Sequence, residues 1–228
     1  MIRFAGVIVV RTLTGLYRFE MSANPHRSSR LSSRPASARE RIDQTAYELF
    51  SRHGIHAVGV DTISARSGVA KMTLYKHYRS KQDLALAFLR RREELWTHSW
   101  LQHEVERRAR APAARLLAVF DVFDKWFRRS DFEACSFAKV LLEHSDPGHP
   151  VRKAAEAHIG TIRAFLRELA ADAGVRDADA FARQLQIVMM GSIIAAYAGD
   201  RDAARRAKEL GSLLLARAGI RTGQGARA

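Results

Sequence analysis

The stretch Arg41–Leu89 reads RIDQTAYELFSRHGIHAVGVDTISARSGVAKMTLYKHYRSKQDLALAFL, and its spacing decides the fold. Ile42, Ala46, Leu49 and Phe50 recur at three- and four-residue intervals, which marks one apolar face of a helix ending near Gly54. Two short helical stretches follow, at about 61–67 and 71–78, joined by Arg66-Ser67-Gly68-Val69. That is a helix-turn-helix, with Ile63 and Val69 facing inward and Gly68 supplying the left-handed or tight backbone the turn needs. The second helix is expected to expose Lys71, Met72, Thr73, Tyr75, Lys76 and His77 while Leu74 points to the core. Hydrogen-bond donors, an apolar contact and a phenol are thus displayed on a helix slim enough for a DNA major groove.

Outward from this stretch the helical pattern continues to the end of the chain. Ser80 caps a new helix, with Asp83 as the acidic half of a capping-box-like start, and the helix runs to about Arg110, ahead of Pro112. Leu116 to Arg128 carries Val119, Phe120, Phe123, Trp126 and Phe127 as an apolar stripe. Asp131 is expected to cap a stretch through Leu142, closed by Pro147 and Pro150. Val151 to about Ala173 is a long helix stopped by Gly174. Asp177 or Asp179 begins another that ends at Gly199, and Asp200 caps the last, which stops near Gly219. No alternating β-branched run bounded by turn signals follows residue 12, so the fold class is all-α. The division expected is a basic arm without regular structure over 1–36, a three-helix domain containing the helix-turn-helix over 37–84, and a larger helical domain over 85–220.

Composition narrows the function classes. The 228 residues carry 38 Lys and Arg against 24 Asp and Glu, a formal charge of +14, so nucleic acid is the first partner to consider. With 47% hydrophobic and 27% charged residues, wholesale disorder is excluded. Cys135 stands alone, which excludes a disulfide-framed scaffold. No uncharged apolar run is long enough to span a bilayer, the longest candidate being Val188 to Gly199. Phe4 to Val10 behind Arg3 has the outline of a secretory segment, but no clean small-residue cleavage site follows. A cytoplasmic location is therefore expected. The Ser-, Arg- and Pro-rich segment from Met21 to Ala38 reads as a polar arm, with Met21 expected as the natural first residue. Arg30 and Arg34 in that arm are candidates for a narrow minor groove.

The quoted stretch resembles the DNA-binding domain of the TetR (tetracycline-repressor-like) family of bacterial transcriptional regulators. The likeness runs through Ala46, Leu49, Phe50, Gly54, Ile63, Gly68, Val69, Thr73, Leu74, Tyr75, His77, Tyr78, Lys81 and Leu84. It covers about fifty of the 228 residues; beyond them only length and helix count agree with the helical ligand-binding and dimerisation domain that follows in the family. The resemblance implies a homodimeric repressor on a near-palindromic double-stranded operator, released by a small-molecule effector. It implies Lys71 and Thr73 as readers of base edges, and Tyr75, His77 and Lys81 as phosphate contacts; Thr62, Met72 and Lys76 complete the expected DNA-binding set. Three positions depart from the family pattern: Gly59 stands where a hydroxyl residue is common, Ala70 leaves the recognition helix without a side-chain cap, and Met72 is bulky.

Other signals are weaker. Trp96, Trp100, Phe123, Trp126, Phe137 and Met189 are the expected ligand-lining residues, although plain core is the commoner fate of such side chains. His103-Glu104 begins a zinc-protease motif that Arg107 breaks, and no phosphate loop or nucleophile elbow occurs. With no matched acid and base groups, an all-helical enzyme is a minor alternative, and no cofactor is implied. Glu143, His144, Asp146, His149 and His158, with Cys135 upstream, keep a metal-sensing regulator of the same fold open. Arg90-Arg91-Arg92 reads as a solvated helix face. Leu185, Val188, Ile193, Ile194, Leu210, Leu213 and Leu214, around Gly191, Ala195 and Gly211, are the expected dimer stripe.

Overall fold

The computed structural model describes residues 7–12, 15–20 and 35–221. The expectations for Arg30, Arg34 and a start at Met21 lie outside the described residues. Ahead of the helices, β1 (Val7–Thr12) pairs antiparallel with β2 (Gly15–Glu20), Val7 opposite Glu20 and Thr12 opposite Gly15. This hairpin corrects the expectation of an arm without regular structure across 1–36. The run Val7-Ile8-Val9-Val10 is β-branched throughout, and such residues favour extended backbone where no helix partner is available. The other described elements are helical.

The head begins with α1 (Ala38–His53), opened by a capping box in which Ser37 Oγ accepts from the Glu40 amide and Glu40 accepts from the Ser37 amide. It is followed by α2 (Val60–Ser67) and α3 (Lys71–His77). Gly68 terminates α2 with φ +63°, a left-handed residue that turns the chain so that the Val69 amide donates back to Ser64. Ile63 and Leu74 are fully buried and Val69 nearly so, which is how the two short helices are held. The Tyr78 hydroxyl donates to Asp43 and ties the end of α3 to α1.

α4 (Lys81–Glu93), capped by Ser80 accepting from the Asp83 amide, leaves the head and passes without a break into a π-helical stretch (Glu94–Gln102) and α5 (His103–Arg108). The single long helix expected here is therefore present, widened in its middle. Pro112 opens α6 (Pro112–Phe127), and α7 (Ser136–Glu143), α8 (Pro150–Asp172), α9 (Ala178–Tyr197) and α10 (Ala203–Arg217) complete the body. Two expected caps lie elsewhere. Asp131 is taken by Arg129, both oxygens at 2.7 Å, so α7 starts only at Ser136 behind Cys135. Asp200 accepts from the Asp202 amide and pairs with Arg206 instead of capping α10 directly. Asp177 caps α9 as expected, accepting from the Ala180 amide at 3.0 Å.

Two apolar cores result. The body core joins α5, α6, α8, α9 and α10 through Leu116, Phe120, Phe123, Leu166, Leu185 and Leu215. Gly211 permits the close approach of α10, since a Cβ there would stand 3.0 Å from Phe120 and 3.3 Å from Leu185. The head core joins α1 to α4, and it also takes in Phe137 and Val140 of α7 and Val151 and Ala155 of α8. Head and body are thus seamed together by α7 and the start of α8.

Candidate nucleic-acid interface

The recognition helix α3 is amphipathic across its seven residues. Leu74 is buried; Lys71, Met72, Tyr75, Lys76 and His77 are exposed, and Thr73 is half-buried. Met72 is 74% exposed, the extreme for an apolar residue of the head, which places a bare thioether where a base edge would lie. Thr62 is exposed on α2 beside it. Ala70 gives α3 no side-chain cap, as the residue type dictates.

Two of the expected contacts are already engaged. Lys71 Nζ lies 2.7 Å from Asp61 Oδ1 in the first turn of α2, and that carboxylate raises the ammonium's pKa. Lys81 is half-buried at the start of α4, and its Nζ donates to the His56 carbonyl at 3.1 Å. Burial lowers the Lys81 pKa, opposed by the nearby Glu143 carboxylate. Asp61 is not among the residues the sequence points to; a carboxylate on a basic head carries no motif by which to find it.

Behind the interface the head rests on an electrostatic seat. Glu143, at the end of α7, accepts from the amides of Ile55 and His56 at 3.2 and 3.1 Å. One turn earlier Lys139 donates to the Ser51 carbonyl at 3.2 Å. Buried Arg92 donates to Ser51 Oγ and the Tyr47 hydroxyl and lies over the Trp96 ring, 4.5 Å from its centroid. Lys139 thereby meets the negative C-terminal end of α1, while Arg92 binds two side-chain hydroxyls of that helix. This corrects the expectation that Arg90-Arg91-Arg92 is a solvated face. Arg90 is exposed, Arg91 pairs with Gln44, and Arg92 points into the seam because α4 turns that face toward α1.

The expected ligand-lining residues separate into two places. Trp96, Trp100, Phe123 and Trp126 form one aromatic cluster, with the Trp96 ring 4.6 Å from both Trp100 and Trp126, and Met189 is buried in the same core. The Trp96 Nε1 is buried without a hydrogen-bond partner. Phe137 lies instead in the head core, stacked on His158. A shallow depression of about 270 Å³ between α8 and α9 is lined by Gly160, Arg163, Ala164, Arg167, Asp179 and Arg183, and includes none of the six. The candidate metal ligands are likewise dispersed: Glu143 faces the 55–56 turn, His158 faces Glu93, and only His144 and His149 have neighbouring rings, 4.5 Å apart. Among the described residues no set of His, Cys, Asp and Glu is placed to hold a metal ion. Nor is any helix among them long and apolar enough to cross a membrane.

A three-helix head with an exposed basic recognition helix, carried on a larger helical body, is the architecture of a DNA-binding transcriptional regulator. Residues 42–88 match the sequence family described as "Bacterial regulatory proteins, tetR family". Over those residues the head is similar to that family's DNA-binding domain. Its fold is similar to SCO4454, a TetR-family regulator from Streptomyces coelicolor, at 29% identity and a TM-score of 0.71 over 79% of this chain and 95% of that one. It is similar also to sav143 of Streptomyces avermitilis, a regulator of the same type, at 28% identity and a TM-score of 0.72 over 82% and 100% of the chains. The likeness to the transcriptional activator FasR of Mycolicibacterium smegmatis is 50% identity over 46 residues, which are 20% of this chain and 21% of FasR. The regulator YjdC of Escherichia coli is 22% identical over 158 residues, 68% of this chain and 81% of YjdC.

Proposed function

We propose that the chain acts as a homodimeric repressor that leaves a near-palindromic operator when a small-molecule effector binds its body. The observation that carries this reading is an apolar face left in solvent on α9 and α10. Ile187, Ile194, Tyr197, Leu210 and Leu213 are all at least half exposed, from 50% at Leu210 to 72% at Ile187. Full burial of such a side chain is worth about 1.5–3 kcal/mol, and clustered exposed apolar residues mark interaction surfaces. The face differs from the expected stripe: Leu185, Ile193 and Gly211 are claimed by the body core, while Ile187 and Tyr197 take their place. A twofold axis through this face would make a four-helix interface and set two heads on one side of the duplex. Recognition helices about 34–36 Å apart would then meet successive major grooves.

The effector reading rests on the aromatic cluster. Two of its members, Trp96 and Trp100, lie on the π-helical stretch, a local widening that often accompanies function, and Trp96 Nε1 is unpartnered. An effector would act by preferring a body whose heads are wrongly spaced. Repression, rather than the activation for which FasR is named, follows from the family resemblance alone. A mobility-shift assay on the DNA flanking the chain's own gene, with mass in solution measured alongside, tests the proposal. A symmetric footprint bound by two copies is the expected result; a monomer bound to a single asymmetric half-site would refute it.

A further inference from the structure

The ion pair between Asp61 and Lys71 stands at the mouth of the helix-turn-helix, and neither stability nor helix capping accounts for it. Both side chains are well exposed, 79% for Asp61 and 51% for Lys71, and exposed pairs add little to stability. Asp61 also complements the N-terminal dipole of α2, but any acidic residue anywhere in that first turn would do so. Meanwhile the carboxylate has a cost. It is carried on a head that must approach a polyanion, joined to the first residue of the recognition helix.

That cost is offset if the carboxylate meets a donor in the groove. Base edges supply exposed amino groups there: N4 of cytosine and N6 of adenine, whereas guanine offers the acceptors O6 and N7. A lysine and an aspartate 2.7 Å apart present donors and an acceptor side by side. The complementary edge is a G·C pair, with guanine O6 and N7 facing the ammonium and cytosine N4 facing the carboxylate. We propose that Asp61 and Lys71 act as one reading unit for a single G·C base pair of the operator. Asp61 is the specificity-determining member, and it also weakens binding wherever cytosine is missing from that position. The inference rests on the docking of α3 in the major groove, and adds to it a residue of α2 and the identity of one base pair.

The test selects bound duplexes from a random-sequence library with the full chain, as wild type, Asp61→Ala, Lys71→Ala and the double variant. The wild type is expected to select a motif containing a G·C pair favoured about tenfold or more over the other pairs. Asp61→Ala and Lys71→Ala should each erase preference at that same position, and the double variant should lose no more than either alone. Asp61→Ala should bind an unrelated duplex severalfold more tightly, since a repulsive charge is gone. A motif unchanged by Asp61→Ala, or changed at a different base pair from that lost in Lys71→Ala, would overturn the inference while leaving the docking intact. A wild type that selects no motif would overturn the docking and the inference together. Because Asp61 is exposed, a melting curve matching the wild type confirms that the variant is folded.

Discussion

Among single residues, His158 is the clearest example of environment overriding residue type. It is 5% exposed, stacked on Phe137, with Nδ1 3.4 Å from Glu93. Burial pushes its pKa down to about 4; Glu93 opposes this, and His98 and Arg92 add to it. The folded state therefore holds the neutral imidazole, while the unfolded chain takes up a proton near the ordinary histidine value of about 6.5. Stability is unaffected by this group above that pH and falls as pH drops from about 6.5 to about 4, by on the order of 3 kcal/mol. Urea denaturation across that window should show the loss in the wild type and a flatter profile in His158→Gln. Gly54 is the other residue whose surroundings fix its identity. With φ +82°, and with a Cβ that would push the Glu143 carboxylate away from its amides, any side chain there is strained. Gly54→Ala is expected to cost about 1–3 kcal/mol, read as a lower denaturation midpoint.

Among the elements, α7 does more than its eight residues promise. Lys139 and Glu143, one turn apart, meet opposite charges of the same backbone corner: the carbonyl end of α1 and the free amides after it. Burial lowers the Lys139 pKa, with Glu133 and Glu143 opposing and Arg92 adding to the effect. Glu143→Ala leaves the Ile55 and His56 amides unmet, at about 1–3 kcal/mol for a buried group and less for the exposed His56. The prediction is that amide exchange over residues 54–58 accelerates in Glu143→Ala while exchange in α9 and α10 does not change. Uniform acceleration across both regions would mean that α7 is an ordinary part of one cooperative core. None of this is legible in the sequence, because Lys139 and Glu143 carry no spacing that names a partner 88 residues away.

For the molecule as a whole, the proposed homodimer would link head affinity to assembly. Leu213 is 66% exposed and lies outside the body core, so Leu213→Glu should leave the helical circular dichroism of the folded protomer unchanged, while the melting temperature loses what assembly adds. The substitution should halve the mass in solution and weaken operator binding by far more than it weakens binding to a half-site, since the two heads then bind independently. An unchanged mass would place the interface on another surface. The salt dependence of operator binding should be steep, one counterion released per phosphate neutralised, and Lys76→Ala should lower the slope of log affinity against log salt by about one.

Local periodicity is enough to specify the head. Ile42, Ala46, Leu49 and Phe50, then Ile63, Gly68, Val69 and Leu74, repeat at intervals that only helices and one left-handed turn satisfy, and that pattern survives whatever the rest of the chain does. The exposed face of α3 follows directly, because burying Leu74 leaves the other residues nowhere else to point. The remaining features were settled only when the helices packed. Packing sent Arg92 into the seam, turned Phe137 away from the other aromatics, divided the stripe of α9 and α10 between core and solvent, and brought Asp61 to Lys71. Each of these depends on which face of a helix meets which neighbour, and a helix with apolar residues on more than one side does not encode that choice locally. The pairing of β1 with β2 is the opposite case: its β-branched run is visible in the sequence, but the helical pattern of everything after it argues against strands, and local preference prevailed where no helix competed for these residues.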